Sequence, residues 1–230
     1  YQRMDIEKEA PEEVGAVIRY NLSESAISDQ TLGSLNISIP TDLVLTYTEH
    51  KGSSKIRSSV ANASNGALAP DDILVTAGAS TSLFIVASAL LGPQDHLIIT
   101  TPNYATNLET PRAIGCDMSV IDLQFESQFS LSITDIANAI RPGRTKLISI
   151  CSPNNPTGTV IPTTQMRELA VLAKTHGCYL LVDETYIDLM YLENGEAPVM
   201  AASLGAHVIG VSSMSKAYGV PGIRVGWLST

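Results

Sequence analysis

The chain has 230 residues, 44% of them hydrophobic and 16% charged, which is enough apolar side chain to offset the entropy of ordering and excludes a disordered polypeptide. Its 14 basic and 23 acidic residues leave a net charge of −9, which excludes the broad basic faces that nucleic acids and anionic membranes require. Any phosphate must therefore be held by a few placed donors.

Residues 1–70 are irregular. An acidic opening (Asp5 to Glu13) precedes a Ser/Asn-rich stretch from Asn21 to Ser38, and within Tyr47 to Ala63 a helix is predicted around Lys55 to Ala61. From Asp71 the pattern becomes regular. Short apolar runs at Ile73 to Thr76, Leu97 to Thr100, Met118 to Leu123, Lys146 to Cys151, Tyr179 to Val182, Val208 to Val211 and Arg224 to Leu228 are predicted strands. Helices are predicted at Thr81 to Leu91, Ile133 to Ile140 and Thr164 to His176. Continuous apolar runs between helices predict an α/β fold with a mostly parallel seven-stranded sheet covered on both faces. The expected division is 1–70 as an arm and 71–230 as the sheet domain.

The three cysteines, Cys116, Cys151 and Cys178, have neither disulfide-framework nor zinc-site spacing, and the four histidines lie far apart. No run approaches the ~18 apolar residues of a membrane span, and the opening residues do not resemble a signal peptide. A reducing, cytoplasmic setting is expected.

In open parallel sheets, ligands gather beyond the carboxyl ends of the strands. Five predicted strand ends carry polar or aromatic groups there: Gly78-Ala79-Ser80, Thr101-Pro102-Asn103-Tyr104, the turn from Ser152 to Gly158, Asp183-Glu184-Thr185-Tyr186, and Ser212 to Lys216. Neither the dinucleotide fingerprint nor the P-loop pattern occurs.

The segment from Ser212 to Trp227, with Lys216 after S-x-S and then Gly219, Gly222, Arg224 and Gly226, resembles the cofactor-lysine signature of class I/II aminotransferases, the fold-type I enzymes that use pyridoxal 5′-phosphate. Asn155-Pro156-Thr157-Gly158, Asp183-x-x-Tyr186, Pro102-x-Tyr104 and Gly78-Ala79-Ser80 match the same family in order, so the resemblance covers Asp71 to Thr230. It implies that Lys216 forms a Schiff base with the cofactor aldehyde and later moves the α-proton. Asp183 would pair with the pyridine nitrogen; on its own, an aspartate there is also a common helix N-cap. Asn155 and Tyr186 would donate to the ring's phenolic oxygen, and Tyr104 would stack on the ring. Gly78, Ala79 and Ser80 at a helix N-terminus, with Ser213 and Arg224, would hold the phosphate.

The resemblance also implies a homodimer in which Tyr47 reaches the partner's phosphate, with residues 1–70 supplying the arm, dimer contacts and part of a small domain. The rest of that domain, including the arginine that grips the substrate α-carboxylate, is expected beyond Thr230, so the chain reads as a fragment of a longer enzyme, with a natural short form as the alternative. The expected reaction is amino transfer between an amino acid or related amine and a 2-oxo acid. A lyase, a cyclase similar to aminocyclopropane-carboxylate synthases, a decarboxylase and a non-catalytic remnant are the alternatives.

Overall fold

The computed structural model describes residues 24–47, 49–190 and 198–230. The acidic opening and Asn21 lie outside the described residues. After an exposed arm come helix α1 (Ser54–Asn62), strand β1 (Ile73–Thr76), α2 (Ala79–Leu90), β2 (His96–Thr101), α3 (Ala105–Ile114) and β3 (Asp117–Asp122). Then follow α4 (Ile133–Ala139), β4 (Thr145–Cys151), α5 (Thr163–Thr175), β5 (Tyr179–Asp183), β6 (Val208–Ser213) and β7 (Gly226–Ser229).

The strands form one seven-stranded sheet in the order β1-β7-β6-β5-β4-β2-β3, with β7 antiparallel to both neighbours and the other pairings parallel. Alternation along β2 shows why both faces are dry. Leu97 and Ile99 pack with Leu83, Val86 and Ala87 of α2, whereas Ile98 points to the other face, against Ile136 of α4 and Leu169 and Ala173 of α5. The helix stripes follow from spacing: Met166, Leu169, Ala170 and Ala173 recur at three and four residues and are the buried face of α5. Among the described residues, no helix is long and apolar enough to cross a membrane.

All seven predicted strands are present, and two local differences have physical causes. The last strand starts at Gly226 rather than Arg224, because Arg224 adopts a left-handed backbone (φ 53°, ψ 53°) after the 3-10 turn Pro221–Ile223. Helix α3 was not anticipated. It contains Pro111, which lacks the N–H that would bond the carbonyl of Asn107 and normally argues against a helix interior. The helix persists with Ala105, Asn107 and Pro111 buried, and Gly115 closes it in the left-handed region (φ 81°).

At the opposite end of the sheet from the strand carboxyl ends, buried His96 joins β2 to its neighbours. Nδ1 lies 2.8 Å from Thr145 Oγ1 and Nε2 2.9 Å from Ser119 Oγ. Burial, aided by the nearby Arg141 and Arg144 charges and opposed by Asp117, holds the imidazole below its ordinary pKa.

Candidate functional site

The carboxyl ends of β1, β2, β4, β5 and β6 meet at one rim, where the fold places ten of the eleven predicted site residues. At the β1 end, Gly78 has φ +96°, a conformation suited to glycine, and Ala79 opens α2. The Arg224 guanidinium lies against this turn, donating from Nη2 to the Ala77 carbonyl (3.2 Å) and from Nη1 to the Pro221 carbonyl (2.9 Å). It makes no ion pair with the described residues. A Cβ at Gly78 would lie 2.5 Å from Arg224 Nη2. A Cβ at Gly226 would lie 2.5 Å from the Gly78 carbonyl carbon and 2.7 Å from the Ala79 nitrogen.

Glycine at 226 is thus what lets β7 lie directly on the N-terminus of α2. Gly226→Ala must separate these backbones, at a cost of about 1–3 kcal/mol. We expect a lower denaturation midpoint and at least about ten-fold weaker uptake of a phosphate-bearing ligand, read by chemical unfolding and by titration. Ser213, buried at the end of β6, accepts the Ser215 amide at 3.3 Å. Ser80 Oγ stands 3.3 Å from Tyr104 Oη, joining the phosphate-side helix to the aromatic at the β2 end.

Asp183 ends β5 and is 4% exposed. Its Oδ1 accepts the amide (3.1 Å) and hydroxyl (2.7 Å) of Thr185, and its Oδ2 accepts Nδ2 of Asn107 (3.1 Å). Every one of these donors is neutral. Burial raises the carboxyl pKa above its ordinary value, and the hydrogen bonds only partly oppose that. The site therefore holds a desolvated carboxylate bonded only to neutral donors, an arrangement that fits a cationic ring nitrogen.

Asn107 escapes a sequence reading because it lies in the helix that Pro111 obscures. The usable signal was its place three residues after Tyr104, a polar side chain on a buried helix face. It also donates to Asn103 Oδ1 (3.0 Å), which accepts the Tyr104 amide (2.8 Å), so one amide chain aligns Asp183 and Tyr104.

Asn155 donates to Tyr186 Oη at 3.4 Å, and Tyr186 donates to Ser25 Oγ at 2.8 Å. Burial raises the Tyr186 phenol above its ordinary value; the Ser25 bond and the Lys216 charge oppose this, and the Asp183 charge adds to it. Lys216 Nζ lies 3.1 Å from Glu24 Oε1. Glu24 was too weakly patterned in sequence to be assigned. Burial raises its carboxyl, but the Lys216 hydrogen bond and charge, with the Ser25 and Ala26 amides, outweigh burial and hold it below the usual carboxylate value.

Tyr47 is not brought to this site. It stands fully exposed on the arm. Arg57, ten residues on, has a structural job: it pairs with Glu49 (2.6 Å) and Asp71 (2.9 Å) and donates to the Gly52 and Pro70 carbonyls.

Next to Asp183, Glu184 lies against Gly210 of β6, and its Oε1 accepts the amide of Ala201, in the 3-10 turn Ala201–Leu204, at 2.7 Å. Burial pushes its carboxyl up to about 8, with the Asp183 and Asp188 charges adding and the Ala201 bond opposing. A carboxyl with a raised folded-state pKa loses stability as pH rises from its ordinary value of 4.5 through about 8. Glu184→Gln keeps the acceptor and removes the charge. The variant should exceed the parent in thermal midpoint at pH 9, with the gap closing toward pH 5.

A profile of the family "Aminotransferase class I and II" matches residues 41–230, most of the chain. The chain belongs to this family. It is 28% identical over 186 residues to the arginine–pyruvate transaminase of Pseudomonas aeruginosa, covering 79% of this chain and 47% of the relative. It is 34% identical over 158 residues to the aspartate/prephenate aminotransferase of Thermus thermophilus, covering 69% of this chain and 40% of the relative. A PLP-dependent aminotransferase crystal structure from Streptococcus suis superposes with a TM-score of 0.78 at 31% identity, covering 90% of this chain and 56% of that one. This family member spans about half the length of the curated relatives it matches. The family's cofactor is pyridoxal 5′-phosphate, and the buried Asp183, the glycine-lined turn against Arg224 and the exposed edge of Lys216 fit its charged nitrogen, phosphate and aldehyde.

Proposed function

We propose that this chain is the cofactor-binding portion of a pyridoxal-phosphate-dependent aminotransferase that moves an amino group between an amino acid or related amine and a 2-oxo acid. The observation that carries this reading is Asp183: a carboxylate buried among neutral donors, on the strand next to the one that leads to Lys216. The relatives named above are transaminases, which supports amino transfer over cyclisation or decarboxylation.

When bound, the cofactor supplies a conjugated pyridinium that accepts the electron pair left when a Cα–H bond breaks. The protein's residues do the rest. Ala79 and Ser80 at the α2 N-terminus would receive the phosphate together with Ser213 and Arg224, with Gly78 allowing close approach. Asp183 would hold the ring nitrogen protonated, with Asn107 and Thr185 fixing the carboxylate. Tyr104 would stack on the ring face, and Asn155 and Tyr186 would donate to its phenolic oxygen. The amine of Lys216 would hold the aldehyde carbon and, once displaced by the donor nitrogen, take the proton from the donor's α-carbon at Nζ.

We further read residues 71–230 as the cofactor domain and 1–70 as an arm that meets a second copy, in a cytoplasmic homodimer. Support comes from the arm's exposed apolar side chains: Leu32, Ile37, Ile39, Val44, Leu45 and Tyr47 are each at least half exposed. In that dimer Tyr47 would contribute to the partner's phosphate site.

Full-length protein supplied with the cofactor should form one 2-oxo acid for each amino acid consumed, and stop when no 2-oxo acceptor is present. Product formation that continues without an acceptor would contradict amino transfer.

A further inference from the structure

The segment from Glu24 to Gln30 is strapped across the lysine loop. The Ile27 amide donates to the Lys216 carbonyl (3.2 Å) and the Gln30 amide to the Gly219 carbonyl (2.7 Å). A Cβ at Gly219 would sit 2.5 Å from the Ser28 carbonyl oxygen, so the strap lies directly on the loop. Tyr186 Oη adds a bond to Ser25 Oγ (2.8 Å). This fixes the Glu24 carboxylate. Its Oε1 accepts the Ser25 amide (2.9 Å), the Ala26 amide (3.2 Å) and Lys216 Nζ (3.1 Å).

We propose that Glu24 sets the charge class of the amino donor, favouring donors with neutral or cationic side chains and disfavouring those that carry a second carboxylate. The inference rests on the aminotransferase reading, because it takes Lys216 Nζ as the atom whose place the donor nitrogen assumes. That nitrogen arrives as an ammonium and meets the same carboxylate that held the lysine. The donor's α-carboxylate is common to all amino acids and cancels in any comparison between them. A second carboxylate does not cancel. The Glu24 side chain is 53% exposed, so the solvent-screened figure applies: two like charges about 4 Å apart disfavour binding by about five-fold. A cationic side chain gains in the opposite sense. The lowered Glu24 carboxyl pKa keeps the group ionised at neutral pH.

The test uses the full-length, cofactor-loaded protein with alanine, arginine and aspartate as donors. The parent should use alanine and arginine with higher kcat/KM than aspartate. Glu24→Gln should raise the aspartate-to-alanine ratio about five-fold and lower the arginine-to-alanine ratio, whereas Glu24→Asp, which keeps the charge, should retain the parent's order. A parent that prefers aspartate, or ratios unmoved by Glu24→Gln, would overturn the assignment. A second readout needs no turnover. Calorimetric titration with succinate and butyrate should show the dianion tightening about five-fold in Glu24→Gln while the monoanion is unchanged. Equal succinate affinity in parent and variant would overturn the proposal by itself. Failure of all three donors to transfer an amino group would instead count against the aminotransferase reading, and the succinate comparison would still decide the role of Glu24.

Discussion

Replacing Lys216 with alanine in the full-length protein should lower amino transfer by at least about 10³-fold while leaving the fold intact. Two roles disappear together: covalent holding of the aldehyde and proton transfer at Nζ, and positioned proton transfer alone contributes about 10²–10⁴-fold. The fold is spared because the one ion pair lost is peripheral. The Lys216 and Glu24 side chains are 28% and 53% exposed, and solvent-screened pairs of this kind contribute about 0–1 kcal/mol. Lys216→Arg should be as inactive as the alanine variant, although it preserves the charge beside Glu24, since a guanidinium does not deprotonate to a nucleophile or base. Steady-state turnover with an unfolding curve checks both parts. Near-normal turnover in either variant would contradict the role assigned to this lysine.

Asp183→Asn should separate activity from stability. Turnover is expected to fall by at least about 10²-fold, because a neutral amide does not hold the ring nitrogen protonated and the electron sink weakens. The cofactor-free protein should unfold at the same or a higher denaturant concentration. The carboxylate is buried among neutral donors, so folding has to desolvate a charge with no counter-ion among the described residues to compensate. The sign of the pH dependence follows from the raised carboxyl pKa: the parent loses stability relative to the asparagine variant as pH rises through the carboxylate range, and the two converge in acid. Asn107→Ala removes one donor from the same carboxylate and should lower turnover about ten-fold, a smaller effect because Thr185 still holds Oδ1.

The sheet was legible in the sequence because its central strands are short, mostly apolar runs buried on both faces between helices, and the edge strand Asp117–Asp122, interrupted by Ser119 and only partly buried, still carries Met118, Val120 and Ile121. Lys216, Asp183, Asn155 and Arg224 were legible because they sit at strand ends within long motifs. What escaped detection depends on long-range geometry. Asn107 lies on a helix that Pro111 disguises, and its importance appears only when α3 packs beneath Asp183. Glu24 stands 192 residues from the lysine it contacts, in a Ser/Asn-rich stretch whose composition indicates irregular backbone and nothing more. Gly226 reads as one glycine in a rich run until its missing Cβ is seen to face the Gly78 backbone. The left-handed Arg224 was likewise hidden, since its apolar neighbours suggest a strand that the backbone enters only at Gly226.

The most direct test of the central assignment is reductive trapping of the cofactor. Full-length protein mixed with pyridoxal 5′-phosphate, reduced with borohydride and digested should yield one modified peptide, carrying the added mass on Lys216. The label should be lost in Lys216→Ala. Label on another lysine, or a protein that binds the cofactor and leaves Lys216 unmodified, would contradict the account.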